Sequence, residues 1–341
     1  MSSVGNFTED ASNMSVQRII AAWLFATTSF LGVLGNILVI VAVSLSCRLQ
    51  TKTNIFVVAL AVIDLVNCLL LPVQVMSLIG VGRSVSFGRV CTVTGVAMSA
   101  SMGVSVTILV LIAFNRFYMI TKVKTDYTRL YTTRNIVAMI VACAAVPSFN
   151  VVLAASGLAK FGLDEGICSH AEGNSYSYTA GAWLLVSLLI IVICYVKIYQ
   201  HVKRHLRSIG SEEHAKGSPQ DASTVEYPKT TELGEGPKLV NAEFAQRQRE
   251  LESKITTNML IIIVLFFLCV TPSIIILFVP DDHDASSITV AIIAFNSCLN
   301  PIVYAWKHPV FRHVFKCIIT RQITDIKEPT RWARSLVETH S

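Results

Sequence analysis

Apolar residues along this chain come in long unbroken runs, not in strict alternation and not in a single helical stripe. Seven runs reach the roughly 20 residues that carry a helix across a bilayer. They cover about 19–46, 54–79, 91–121, 135–158, 180–200, 255–279 and 286–306, the last being the least hydrophobic. Most polar segments between them are short. The exception is 208–245, where Gly217, Pro219, Pro228, Gly234, Gly236 and Pro237 stand among Ser, Thr, Glu and Lys. Such a segment buries too little surface to offset its ordering entropy and is expected to be disordered. Its flanks, 197–207 and 246–254, read as extensions of the fifth and sixth helices. After the seventh run, Trp306, Val310, Phe311, Val314 and Phe315 alternate with Lys307, His308, Arg312, His313 and Lys316. That pattern predicts a short amphipathic helix lying on a membrane surface. The expected architecture is an all-α membrane protein: a seven-transmembrane helix bundle with a short amphipathic eighth helix. Its parts are an N-terminal tail 1–18, the bundle 19–306, the surface helix 307–319 and a tail 320–341.

Composition agrees. Of 341 residues, 53% are hydrophobic and only 15% charged, against about a quarter charged in soluble domains. Residues 1–18 include Glu9 and Asp10 and lack an apolar cleavable core, so the first run is expected to act as its own insertion signal. With the N-terminus outside, only Arg18, Arg83, Arg89 and Lys160 of the 28 Lys and Arg fall on the outer side, as the positive-inside rule requires. The C-terminus then lies in the cytoplasm of a multi-pass plasma-membrane protein. Asn6 and Asn13 each open an N-glycosylation triplet in the outer tail. Nine cysteines show no C-x-x-C spacing, which excludes zinc and thioredoxin-like readings. Cys47, Cys68, Cys143, Cys194, Cys269 and Cys298 sit in apolar context. Cys91 and Cys168 fall on the outer, oxidising side, which lets them pair. Cys317, at the end of the surface helix, is a candidate palmitoylation site.

Ionisable groups inside a bilayer are costly and usually functional. Asp64 is the one carboxylate well inside any of the seven runs. It needs a cation, a proton or a polar pocket. Asn36, Ser105, Asn296, Ser297 and Asn300 stand at matching depth, able to form an oxygen-rich cavity for a hard monovalent cation or a purely structural hydrogen-bond network.

These residues resemble the rhodopsin-like (class A) G-protein-coupled receptor family. The resemblance rests on Gly35-Asn36, Leu60 to Asp64, Asn115-Arg116-Phe117, Asn300-Pro301-Ile302-Val303-Tyr304, and Cys91 standing 25 residues before Arg116. Tyr195, Pro272 and the Tyr304-to-Phe311 interval also match, over about 20–317. The resemblance implies that Asp64, Ser105, Asn296, Ser297 and Asn300 hold Na⁺ as an allosteric ion. It implies that Arg116 faces a heterotrimeric G protein and pairs at rest with Glu252, with Tyr195 and Tyr304 reaching toward it on activation. Pro272 would kink the sixth helix, and Phe266 keeps its family position. An extracellular small-molecule or peptide ligand, a lipid environment, no enzymatic activity and no nucleic-acid partner follow from the same resemblance.

Several positions depart from the family. Asn115 stands where an acid precedes Arg116, Val270 where a tryptophan precedes Pro272, and Ser187 where the fifth helix carries proline. Ala294 replaces the retinal-binding lysine, so no retinal is expected, and Met98 replaces the amine-binding aspartate. What remains for a ligand is Gln74, Thr94, Met98, Trp183 and Asn150. The outer cluster Asp281-Asp282-His283-Asp284 would attract a cationic ligand or peptide. The competing readings are a heptahelical protein that is constitutively active or no longer coupled, and a membrane transporter. His201 and His205 have zinc-compatible spacing but lie among Lys203, Arg204 and Arg207, as a solvated basic face would.

Overall fold

The first helix, α1 (Val16–Leu45), leads through a single 3₁₀ turn at Cys47–Leu49 into α2 (Lys52–Leu78). The computed structural model describes residues 16–80, 85–156, 160–164, 166–170, 175–216, 261, 264–272 and 283–338. Thr51 starts α2, its hydroxyl accepting the Asn54 N–H at 3.3 Å, an ordinary N-cap. Then come α3 (Val85–Thr121), the short α4 (Lys124–Leu130) and α5 (Thr133–Ala155). A hairpin of β1 (Phe161–Asp164) and β2 (Ile167–His170) follows, paired antiparallel with Leu163 opposite Cys168. Gly166 turns it at φ +88°, a backbone region open to glycine without strain. The remaining elements are α6 (Ser175–Lys216), a helical stretch at 264–272, α7 (His283–Lys307), α8 (Pro309–Ile319) and α9 (Arg331–Glu338).

Among the described residues, five helices are long and apolar enough to cross a bilayer: α1, α2, α3, Thr179–Arg204 of α6, and Ser287–Lys307 of α7. A sixth qualifies when α4 and the start of α5, bent by 62°, are taken together. The expected sixth span, 255–279, is described only at 261 and 264–272. Disorder from residue 208 onward is corrected: α6 continues as helix to Lys216.

α3 packs against α2, α5, α6 and both strands, and α1 against α2 and α7. The approaches are close where glycine faces a neighbour. A Cβ on Gly35 would lie 2.7 Å from Pro301 Cβ, and one on Gly103 2.5 Å from Pro147 Cβ. Two apolar clusters result. One, with Phe25, Leu71, Met98 and Ile167, lies toward the hairpin. The other, with Phe56, Leu60, Ile112, Tyr131 and Phe311, lies toward Arg116. The helices expose Trp23, Phe30, Val141 and Leu189 outward, the lipid-facing pattern of a bundle whose solvent is hydrocarbon.

His308 and Pro309 begin α8: the His308 side chain caps it, accepting the Phe311 N–H at 3.4 Å, and proline occupies the first turn, where its missing donor costs nothing. Beyond α8 the chain folds back. Thr330 donates its N–H to Leu45 O at 3.0 Å and its hydroxyl to Ser44 O at 2.9 Å. The same hydroxyl caps α9 by accepting from Ala333 N–H at 3.2 Å. Cys47 N–H donates to Glu328 O at 3.0 Å, and Arg48 pairs with Glu328 at 2.7 Å. Both charged side chains are half-exposed, so that pair contributes less than about 1 kcal/mol. Ile326 and Ala333 of this strap are buried. Cys317, the expected acylation position, is buried as well, its sulfur 3.9 Å from His313 Nε2.

Candidate functional site

Three layers stack along the bundle. At the hairpin end, Cys91 and Cys168 form a disulfide, tying α3 to β2. A cavity of about 240 Å³ opens beneath the hairpin between α2, α3, α5, α6, the 264–272 stretch and α7. Met98, Met102, Val106, Leu184, Val290 and Ile293 give it apolar walls, and Phe266 and Val270 close one side. Of the five ligand-contact residues expected from sequence, Gln74, Met98 and Trp183 line it; Thr94 is buried and does not, and the Asn150 side chain lies outside what the structure describes. Asn67, Ser169, Asn296 and Ser297 line it too.

Gln74 also holds the hairpin. Its Nε2 donates to Cys168 O at 2.8 Å, and its Oε1 accepts from Cys168 N–H at 2.8 Å. The side-chain amide thus meets the outer edge of β2 as a third strand would. Its Nε2 also stands 3.3 Å from Met98 Sδ. Gln74→Leu is expected to strand both backbone groups and destabilise the protein by about 2 kcal/mol, read as a lower melting temperature with the disulfide intact.

The middle layer is Asp64, fully buried. Ser105 and Ser297 hydroxyls donate to its Oδ1 at 2.9 and 3.2 Å, and Asn300 Nδ2 donates to Oδ2 at 2.9 Å. Asn36 bonds instead to Gly32 O and Ser297 O, both at 2.9 Å, which fixes α1 to α7. Asn300 Oδ1 and Asn296 Oδ1 are buried without a protein partner among the described residues. A carboxylate, two hydroxyls and spare amide oxygens form the hard oxygen donor set that suits a small cation. Asn296 stands at the boundary of this layer, on the cavity wall.

The third layer surrounds Arg116, which is buried. Tyr195, Tyr304 and His308 all lie within reach of its charge. The Tyr195 and Tyr304 hydroxyls are buried without a protein hydrogen-bond partner among the described residues. Tyr304 stacks on Phe311 at 5.1 Å, coupling α7 to α8. Lys197 on α6 stands 5.9 Å above the Phe117 ring. Asn115 precedes Arg116 on α3 and is buried. It accepts from Thr53 Oγ1 at 2.9 Å and its Nδ2 donates to Tyr127 OH at 3.3 Å, so it ties α3 to the start of α2 and to α4. Pro272 is helical and partly buried at the end of the 264–272 stretch. Asn6, Asn13 and Glu252 lie outside the described residues.

His308 was not singled out from sequence, although a residue before a proline that opens a helix is a capping signal. Burial, reinforced by the nearby Arg116 charge, pushes its imidazole down from 6.5 to about 4. The depressed value fits the geometry, because the cap needs Nδ1 as an acceptor. Between pH 6.5 and 4 the unfolded chain binds a proton that the folded chain refuses, so stability falls as pH drops through that window. His308→Asn keeps a capping acceptor and is expected to flatten this dependence, measured as melting temperature against pH.

Residues 35–304 match the profile of the 7 transmembrane receptor (rhodopsin family). The chain belongs to this family. It is 26% identical over 360 residues to the G-protein coupled receptor moody of Drosophila melanogaster, covering 91% of this chain and 52% of that protein. Against the melatonin receptor type 1A of Mus musculus it is 24% identical over 331 residues, covering 89% and 83%. The crystal structure of squid rhodopsin shares the fold, with a TM-score of 0.71 at 17% identity over 92% of this chain and 89% of that one. The chain therefore spans about half the length of moody but most of the melatonin receptor.

Proposed function

We propose that this protein is a G-protein-coupled receptor of the plasma membrane that converts binding of an extracellular ligand in the hairpin-end cavity into G-protein activation at the Arg116 end. The observation that carries the reading is the stacking of the three layers on shared helices: α3 carries Met98, Ser105 and Arg116, and α7 carries Ile293, Ser297 and Tyr304. The relatives' names, G-protein coupled receptor moody and melatonin receptor, support it. Basic residues concentrate toward the Arg116 end, which supports a cytoplasmic face there and an outer N-terminus. A mobility shift on N-glycosidase treatment, lost when Asn6 and Asn13 are replaced, tests that orientation.

Coupling is tested by nucleotide exchange on reconstituted heterotrimers of each Gα class, with receptor membranes at matched density. Exchange above receptor-free membranes is expected, and Arg116→Ala is expected to abolish it. Equal exchange in wild type and Arg116→Ala for every class would favour the second reading, an uncoupled heptahelical protein. That reading draws on Asn115, Val270 and Ser187, where the chain departs from its family. Na⁺ held by Asp64, Asn300 and the hydroxyls of Ser105 and Ser297 belongs to the same proposal. Thermal stability in NaCl above that in choline chloride, with the difference lost in Asp64→Asn, is the expected result.

A further inference from the structure

On α1, Phe30, Leu34 and Ile37 form an exposed, lipid-facing row. The same helical spacing carries that row on through Val41 to Ser44, and both of these residues are partly covered. Ser44 is where the returning chain arrives. Thr330 binds its carbonyl and that of Leu45, and α9 starts at the next residue. α9 packs on α1 and on the 3₁₀ turn at Ile323–Asp325, so it stands at the foot of the lipid-facing row. Its depth can be counted. Gly35 on α1 meets Pro301 on α7 at one level, and both helices run toward the Arg116 end. Trp306 follows Pro301 by five residues and Ser44 follows Gly35 by nine. At the rise of an α-helix, α9 therefore begins about 6 Å further from the bilayer centre than Trp306. Trp306 is exposed, with Lys307 Nζ 3.7 Å above its ring, as aromatic residues at the hydrocarbon edge are. The headgroup layer beyond that edge is about 5–7 Å thick, which puts α9 inside it. Ala333 turns into the protein and is buried, while Arg331, Trp332, Arg334 and Ser335 are exposed. At 3.6 residues per turn these four share one arc opposite Ala333.

We propose that α9 is a docking surface for the anionic phospholipid headgroups of the adjacent leaflet, with Arg331 and Arg334 on the phosphates and Trp332 inserted between lipids. The proposal goes beyond the receptor reading and needs neither a ligand nor coupling. Charge favours this occupant. Residues 307–338 hold seven Lys and Arg against the three acids Asp325, Glu328 and Glu338, and Glu328 is already paired with Arg48. A guanidinium fork matches the phosphate oxygens. An acidic soluble protein would satisfy the arginines too, but would give Trp332 no acyl chains to enter. Each arginine close to an anionic leaflet is worth about a fivefold change in binding.

The test uses the full chain in nanodiscs whose acyl chains are brominated, so that an indole entering the bilayer is quenched. One set holds phosphatidylcholine alone, and the other has about a third of it replaced by phosphatidylserine. The emission of Trp332 is read as wild type minus Trp332→Phe. Quenching is expected in the phosphatidylserine discs, weaker in phosphatidylcholine, and reversed by high salt. The double variant Arg331→Gln/Arg334→Gln is expected to lose at least half of the phosphatidylserine-dependent quenching at an unchanged melting temperature. Arg331→Lys/Arg334→Lys is expected to retain most of it, which a purely structural role of the guanidinium groups would not allow. Equal quenching in the two lipid mixtures, or in wild type and the Gln variant, would overturn the proposal. So would quenching in neither mixture, which would leave α9 to water or a soluble partner. Glycerophosphoserine supplies the headgroup without chains, and is expected to leave Trp332 emission in phosphatidylcholine discs unchanged. A change as large as that in phosphatidylserine discs would assign the arginines to a soluble phosphate and overturn the lipid surface. A nanodisc presents the same lipids to both faces, so the outcome is independent of membrane orientation. Nucleotide exchange on the same discs reads the coupling separately. Exchange dependent on Arg116 without phosphatidylserine-dependent quenching defeats the lipid surface alone, and quenching without exchange defeats the coupling alone.

Discussion

Asp64→Ala is expected to give a receptor that melts on the order of 5–10 °C below wild type. The alanine removes both acceptor oxygens at once and leaves the Ser105 and Ser297 hydroxyls and Asn300 Nδ2 facing a void. Each stranded buried donor costs roughly 1–3 kcal/mol. Release of the buried carboxylate from its own desolvation offsets part of that sum. The net loss is about 3 kcal/mol. Asp64→Asn is expected to fall between, because it keeps one oxygen for the two hydroxyls while turning an N–H₂ toward Asn300. Thermal melting of detergent-solubilised protein in sodium-free buffer reads the series. Equal melting of all three proteins would show that the donors rearrange onto one another and that the layer is not built around the carboxylate.

Gly103→Val is expected to reduce folded receptor even more sharply. The first carbon added at residue 103 would lie 2.5 Å from Pro147 Cβ and 3.5 Å from its Cγ. A pyrrolidine ring cannot swing aside as a leucine can, so α3 and α5 must separate. Overpacking of this kind costs typically about 1–3 kcal/mol for a single group, and valine adds two methyls to the first clash. Gly103→Ala is the milder variant. Combining it with Pro147→Gly removes the opposing carbon, and the double variant is expected to be more stable than the two single losses predict. Additive losses at matched expression would show that the helices already have room to part.

The long apolar runs made the bundle legible, because a helix in hydrocarbon announces itself by length and composition without any need for tertiary information. What the runs conceal is where helices stop. α6 continues past the expected bilayer edge to Lys216, since a helix has no reason to end where lipid does. The grouping of Ser105, Ser297 and Asn300 on Asp64 follows from residue depth, which can be counted along helices. The direction of a side chain cannot. Asn115 and Gln74 both occupy positions singled out in the sequence, yet each is claimed by a partner on a distant element: Thr53 and Tyr127 for the first, the β2 backbone for the second. Asn67 was passed over because a neutral amide in an apolar helix has no motif. Its place in the cavity lining becomes visible only once the walls are assembled.

The strap formed by the chain beyond α8 also has a consequence for the order in which the molecule is made. Thr330 bonds to Ser44 across 286 residues of sequence. At the usual rate of synthesis, that interval lasts on the order of half a minute. Throughout it, the carbonyls of Ser44 and Leu45 and the N–H of Cys47 must find other partners, with water at the membrane edge the available one. Contacts of such long range form only after the intervening chain has been closed into a loop. The underside of the first helix is therefore among the earliest surfaces to leave the ribosome and among the last to be covered.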